Sequence, residues 1–376
     1  MMSYTAIIFV LATLVTYLDA GKLPSKNFGK FKEDSSLVMA HVLFRHGQRT
    51  PDVSTIYPKD PYRNETYYPY GLGALTNEGK FTQYRIGEAL RERYNDFLGV
   101  YTLNKVHTLT SPFKRTKISA LLVLAALFPP VGIERWNHRL NWQPVDYDYN
   151  PRSEDLIFLH GINCQRYIDL SNDQLSMAID EGSFGNYQDI AEYLSYYSGW
   201  NASDPEKAFN IYSALLTEEE WGFELPEWTG AVYPEPLHTI AVQYLAETVK
   251  TDMLKKLSGG FILRRIVEET TAKLEDLPTM TDRRINLYSG HDFTIIALLS
   301  ALGVYKPHHP PYGAYIILEV HKIGNRHGIK VFYQDYSTKT PHQLHLPNCP
   351  DICPFEKFVN LYSKYFPTED MCNSKL

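Results

Sequence analysis

Three short stretches carry the side chains best suited to chemistry, and they lie far apart in the chain. They are Arg45-His46-Gly47-Gln48-Arg49, Ser111-Pro112-Phe113-Lys114-Arg115 and His291-Asp292. Together they bring three guanidinium groups (Arg45, Arg49, Arg115), two imidazoles (His46, His291) and one carboxyl group (Asp292). Guanidinium forks match phosphate oxygens bidentately and stay charged at any working pH. Phosphoryl transfer asks a protein for positioning, charge neutralisation, an in-line nucleophile and a proton for the leaving oxygen. This set supplies each of those parts from side chains alone, with no metal.

Each stretch is weak evidence by itself, since an isolated Arg-His-Gly or His-Asp is common. What joins them is the element on either side. Residues 36–44 are apolar and β-branched enough for a buried strand, and they run straight into Arg45. Residues 105–110 read as a short strand ahead of Ser111, and residues 116–128 as a buried helix stopped by Pro129 and Pro130. Residues 284–289 read as a strand ahead of His291, with a second buried helix over residues 293–302. A further helix is expected over residues 77–98, capped by Thr76.

Strands alternating with helices imply an α/β fold with a mostly parallel central sheet flanked by helices. Ligands of such sheets bind beyond the carboxyl ends of the strands. All three motifs sit there, so the topology predicts that they converge. Residues 137–270 lack this rhythm and read as a mostly helical cap inserted into a core of residues 32–136 and 271–376. Residues 313–320 and 328–334 read as a closing hairpin.

Other polar residues are expected to be bystanders. His41 and His107 lie within strands and read as wall residues. His308 and His309 sit in a Pro-rich loop and read as solvated. Asp146, Asp148, Glu218, Glu219 and Glu220 read as solvated acids.

The 376-residue chain carries a net charge of −6 with 13 His uncounted, and this acidic balance argues against nucleic acid as a partner. The apolar stretch from Ala6 to Leu18 is too short for a membrane span and suits a signal peptide over residues 1–20, cut after Ala20. Sequons at Asn64 and Asn201 fit that route. The chain is therefore expected to be secreted rather than lysosomal, with no membrane span in its mature part. Four cysteines (Cys164, Cys349, Cys353, Cys372) suggest two disulfides, and their spacing leaves three pairings open. A zinc site on Cys349 and Cys353 would need a second ligand pair at suitable spacing, which the sequence lacks.

The stretch Arg45-His46-Gly47-Gln48-Arg49-Thr50-Pro51 resembles the motif of the histidine acid phosphatases. The likeness continues through residues 73–79, 115–130, 142–144, 153–155, 288–292 and 310–312, and covers most of the chain from about Leu37 to Cys372. It is nearest to the animal branch with prostatic, lysosomal and insect venom enzymes. The resemblance implies a phosphoglycerate-mutase-like core, no cofactor, and hydrolysis of phosphate monoesters. It implies that His46 forms a phosphohistidine and that Arg45, Arg49, Arg115 and His291 hold the phosphoryl oxygens. Asp292 would then protonate the leaving alkoxide, which requires it to start neutral; neighbouring cations lower it and a bound phosphate anion raises it, so an acidic optimum is expected. It pairs Cys164 with Cys372 and Cys349 with Cys353, and suggests a homodimer. One departure is Phe293, where relatives often carry Thr; it is expected to narrow or line the pocket.

Three other functions compete. The first is a phytase-like or lysophosphatidate-type phosphatase, so the substrate could be a small monoester, a phosphoprotein or a lipid. The second is a phosphoglycerate-mutase-like transferase, which secretion and the cap argue against. The third is a non-catalytic secreted binding protein on the same scaffold, which a replaced catalytic position would favour; none is replaced.

Overall fold

The computed structural model describes residues 36–373, so the leader expected over residues 1–20 lies outside the described residues. Strand β1 (Leu37–Arg45) is apolar on both faces because both are covered. Met39 and Leu43 enter one apolar cluster, while Ala40, Val42 and Phe44 enter another. The other strands are β2 (Val106–Thr110), β3 (Asp148–Tyr149), β4 (Ile285–Gly290), β5 (Tyr315–Ile323), β6 (Arg326–Gln334), β7 (His342–Leu344) and β8 (Cys353–Pro354). Among the described residues they form a single sheet in the order β3-β2-β4-β1-β5-β6-β7, with β8 pairing β6. Strands β3, β2, β4 and β1 run parallel. Strand β5 runs antiparallel to β1, and the expected hairpin of β5 and β6 extends that side.

Helices α1 (Asn77–Leu98) and α2 (Lys114–Leu127) cover one face of the sheet through Ile86, Leu90, Val123 and Leu124. Thr76 caps α1 as expected, its hydroxyl accepting from the Gly79 N–H at 3.0 Å. Helices α3 (Leu156–Asn163), α4 (Gln165–Asp180), α5 (Tyr187–Ser198), α6 (Pro205–Trp221) and α7 (Leu237–Glu247) follow. Then come α8 (Asp252–Leu257), α9 (Gly259–Leu274), α10 (Asp292–Ala301) and α11 (Phe355–Tyr362). Helices α7 and α8 are separate, and Thr251 caps α8 by accepting from Leu254 N–H at 3.2 Å.

Residues 137–270 are not all helical and do not all stand apart from the sheet. Strand β3 joins the sheet, and Ile262, Leu263 and Ile266 of α9 pack with Met39 and Leu43 in the core. What remains is a helical layer whose apolar residues, including Ile211, Leu215 and Ile240, share a cluster with Ile296 and Ala297 of α10. Burying this apolar surface is the main force that joins these helices to α10. Disulfides link Cys164 to Cys372 and Cys349 to Cys353. Both sequon residues, Asn64 and Asn201, are exposed.

Glu218 corrects the expectation of a solvated acid. It is 0% exposed on the inner face of α6, whereas Glu219 and Glu220 are exposed. Burial, followed by the adjacent carboxyl of Asp60, pushes Glu218 up to about 8. Asp60 is itself buried beside Tyr57 and Tyr67. A proton on Glu218 lets it donate to Asp60, so the pair is stable as one acid and one carboxylate. The folded value lies above the ordinary 4.5, so this contribution is fully present below about pH 4.5 and is lost as pH rises through about 8. Glu218→Gln should therefore raise the thermal midpoint at pH 8 by roughly 3–6 °C and change it little at pH 4.5. Equal shifts at both pH values would show that Glu218 is not protonated in the fold.

Candidate active site

The three motifs meet because the strand registers align their ends. Arg45 pairs with Gly290 across β1 and β4, and Thr110 pairs with Ser289 across β2 and β4. The next peptides continue the ladder, with His46 N–H donating to Gly290 O at 3.1 Å and Ser111 N–H donating to Ser289 O at 3.0 Å. The turn after β1 is seated on the start of α1. A Cβ at Gly47 would lie 2.2 Å from Gly79 O, and one at Gly79 would lie 2.0 Å from Gln48 O. Both glycines are thus required by close backbone approach.

The result is a cationic cradle. Arg45 and His46 are almost fully buried, at 4% and 3% exposure. The Nε–H groups of Arg45, Arg49 and Arg115 are buried with no hydrogen-bond acceptor among the described residues. Buried donors without acceptors are costly, and a tetrahedral oxyanion would satisfy them. Two carboxylates partly balance the three guanidiniums. Asp52 Oδ2 accepts from Arg115 Nη1 at 2.8 Å, and Asp292 Oδ2 lies 2.8 Å from Arg45 Nη2. Burial, with Arg49 next in effect, lowers Arg115 to about 10, which leaves it cationic at any relevant pH.

The His46 ring is held in one tautomer. Its Nδ1 lies 2.8 Å from Gly47 O, which can only accept, so Nδ1 carries the proton and Nε2 the lone pair. Burial, then Arg115, His291, Arg45 and Arg49, holds its pKa well below 6.5. The lone pair therefore stays free in acid. His291 stands beside it, ring centroids 5.4 Å apart, with Nε2 2.9 Å from Ser111 Oγ. Burial and then Arg115 lower His291 to about 3.

The Asp292 carboxyl is flanked by cationic and hydrogen-bonding groups. Burial alone would raise it, but Arg45 and a hydrogen bond from His309 hold its carboxyl well below the usual range. These groups favour the ionised form of the carboxyl, and a bound phosphate anion would oppose them. His309, expected to be solvated, donates from Nε2 to Asp292 Oδ2 at 3.1 Å, and its ring packs on Phe209 and Tyr212 of α6. His308 faces away, with Nε2 2.8 Å from the Tyr333 hydroxyl. His41 is fully buried between Tyr288 and Thr270, and His107 pairs with Asp148; both are wall residues as expected.

The sequence reading missed Asp52, His309 and Tyr312. Tyr312 lies under the Arg45 guanidinium, 4.3 Å from Cζ to the ring centroid, and 5.9 Å from the His46 ring. A signal for the last two exists. They precede β5, whose Tyr315 pairs with Phe44, so the β5 entry must lie beside the β1 exit. The site opens into a cleft of about 420 Å3 lined by these groups and by Phe293, as expected for that residue. Among the described residues no cluster of three or more His, Cys, Asp or Glu is arranged to hold a metal ion.

Comparison with known proteins matches residues 36–334 to the family model described as "Histidine phosphatase superfamily (branch 2)". The chain is 38% identical to the venom acid phosphatase Acph-1 of Apis mellifera over 342 residues, 89% of this chain and 87% of that one. It is 32% identical to the lysosomal acid phosphatase of Homo sapiens, covering 89% of this chain and 79% of that one. The Hafnia alvei phytase superposes with a TM-score of 0.64 at 17% identity, covering 90% of this chain and 98% of that one, so it shares the fold.

Proposed function

The chain belongs to the histidine phosphatase superfamily, branch 2, and from that premise we propose how its residues carry out the chemistry. It is an acid phosphatase that hydrolyses phosphate monoesters through a phosphohistidine intermediate. The observation that carries the residue assignment is the His46 imidazole, oriented by Gly47 O and ringed by Arg45, Arg49, Arg115 and His291. His46 Nε2 attacks phosphorus, the bond to the ester oxygen breaks, and that oxygen takes a proton from Asp292. Water then attacks the phosphohistidine and gives its proton back to Asp292, the N–P bond breaks, and inorganic phosphate leaves. The guanidiniums hold the equatorial oxygens throughout, where charge spreads in the transition state.

Because Arg45 and His309 lower the Asp292 carboxyl, its first proton is best drawn from the substrate. A monoester loses its second proton near pH 6, so below that pH it arrives as a monoanion that carries one. Once its oxygens engage Arg45, that proton moves to Asp292. Hence kcat/KM should fall as pH rises through about 6, while the depressed His46 pKa keeps the nucleophile free on the acid side.

The direct test is hydrolysis of an aryl phosphate at about pH 5 with excess chelator. Full activity, inhibited by vanadate, is expected; loss with chelator would point to a metal phosphatase. We also read the chain as secreted. Two disulfides and two exposed sequons support that route, and no described helix is long and apolar enough to cross a membrane.

A further inference from the structure

The cleft does not end at the phosphate cradle. It continues between α3, α4, α6, α7 and the start of α10, and there its lining changes character. Phe209, Tyr244 and Phe293 form a continuous aromatic wall. Phe209 and Tyr244 lie 5.2 Å apart, Tyr244 and Phe293 6.1 Å, and Phe209 meets Phe293 edge-on at 6.4 Å. Leu175 and Ile168 of α4 extend the apolar lining, and Ile162 stands at the cleft 55% exposed. Outside the cradle, the one arginine among the described lining residues is Arg152, no lysine is present, and Glu206 supplies an opposing charge. A second phosphate on a substrate would find little to neutralise it.

Phe293 is placed to act on the leaving group. It follows Asp292 in the first turn of α10, and its N–H donates to Asp292 Oδ1 at 2.8 Å. The residue that would protonate the leaving oxygen and the ring that would meet its substituent are thus carried on one turn. Phe209 also touches His309, which holds Asp292, so the wall borders the proton donor on two sides.

We propose that this wall is the leaving-group site, and that Phe293 makes the enzyme favour monoesters bearing one phosphate on an apolar arm over polyphosphorylated polyols. The inference rests on the phosphatase assignment above. Its test is the slope of log(kcat/KM) across n-alkyl phosphates from methyl to hexyl, whose alcohols have nearly equal leaving ability. Burial of each methylene should raise kcat/KM by about two- to fourfold in the wild type until the arm outgrows the wall. Phe293→Thr should flatten the slope to below about 1.5-fold per methylene, and Phe293→Leu should keep most of it. The slope is a ratio within one preparation, so an inactive fraction cancels. Phe209→Ala reads the same wall if Phe293→Thr does not fold. A flat wild-type series, a Phe293→Thr slope equal to wild type, or myo-inositol hexakisphosphate turned over as well as hexyl phosphate would overturn the proposal. Failure to hydrolyse any of the esters would instead sink the phosphatase assignment, and the wall with it.

Discussion

His46→Ala should abolish turnover, with kcat reduced on the order of 10⁵-fold or more, because no other group can take over the covalent step. The variant separates chemistry from binding. Arg45, Arg49 and Arg115 remain, and their buried Nε–H groups still need acceptors. Inorganic phosphate should therefore bind within roughly tenfold of the wild-type affinity. Rapid acid-free quenching of the wild type with a labelled ester should trap phosphate on the protein at a bond that is stable to base and labile to acid. The His46→Ala protein should trap none. Retained turnover, or a base-labile phosphoprotein, would place the nucleophile on another side chain. The physical reason to expect so large an effect is the position of the ring. Burial and the surrounding cations keep it neutral in acid, and Gly47 O fixes which nitrogen is free. An ordinary histidine would be protonated, and inert as a nucleophile, in much of that range.

Asp292→Asn should lower kcat by roughly 10²–10⁴-fold on alkyl esters, the usual range for a lost general acid. The deficit should shrink to about tenfold or less on nitrophenyl phosphate, whose leaving oxygen needs no proton. Dependence of rate on leaving-group pKa should steepen accordingly. The alkaline limb of the wild-type kcat/KM profile, set by the substrate's own proton, should stay near pH 6 in the variant with nitrophenyl phosphate only if that proton still matters for binding. An equal loss on both esters would mean that Asp292 serves only to position Arg45, to which it is ion-paired at 2.8 Å. His309 makes the second contact to the same oxygen. As a positioning residue, its loss should move the pH profile more than the leaving-group dependence.

Much of this site was legible in the chain because parallel α/β topology puts strand ends on one side. Arg45 ends an apolar strand, His46, Ser111 and His291 directly follow one, and Asp292 and Arg115 open the helices that come next, so local pattern alone predicts that they share a rim. The boundaries of β1, β4, α1 and α10 likewise follow from where apolar runs meet polar motifs. His309, Tyr312 and Asp52 were not legible in that way. Their partners are distant in sequence and no local period marks them. His309 reads as a loop residue until β5 is known to pair with β1 rather than with another edge. Glu218 looks like one acid among three until α6 turns it inward against Asp60.

The sequence by itself marked the side chains whose types suit them to bind and attack a phosphoryl group, because residue type and strand-end position are local properties. Tertiary structure alone decided the protonation state of those groups and the character of the leaving-group side. The Asp292 carboxyl is pushed toward its ionised form because Arg45 and His309 reach it from two other segments, and Phe293 meets Phe209 and Tyr244 because α6 and α7 pack against α10. Charge and burial depend on what surrounds an atom in space, and that is settled by packing between segments rather than by order along the chain.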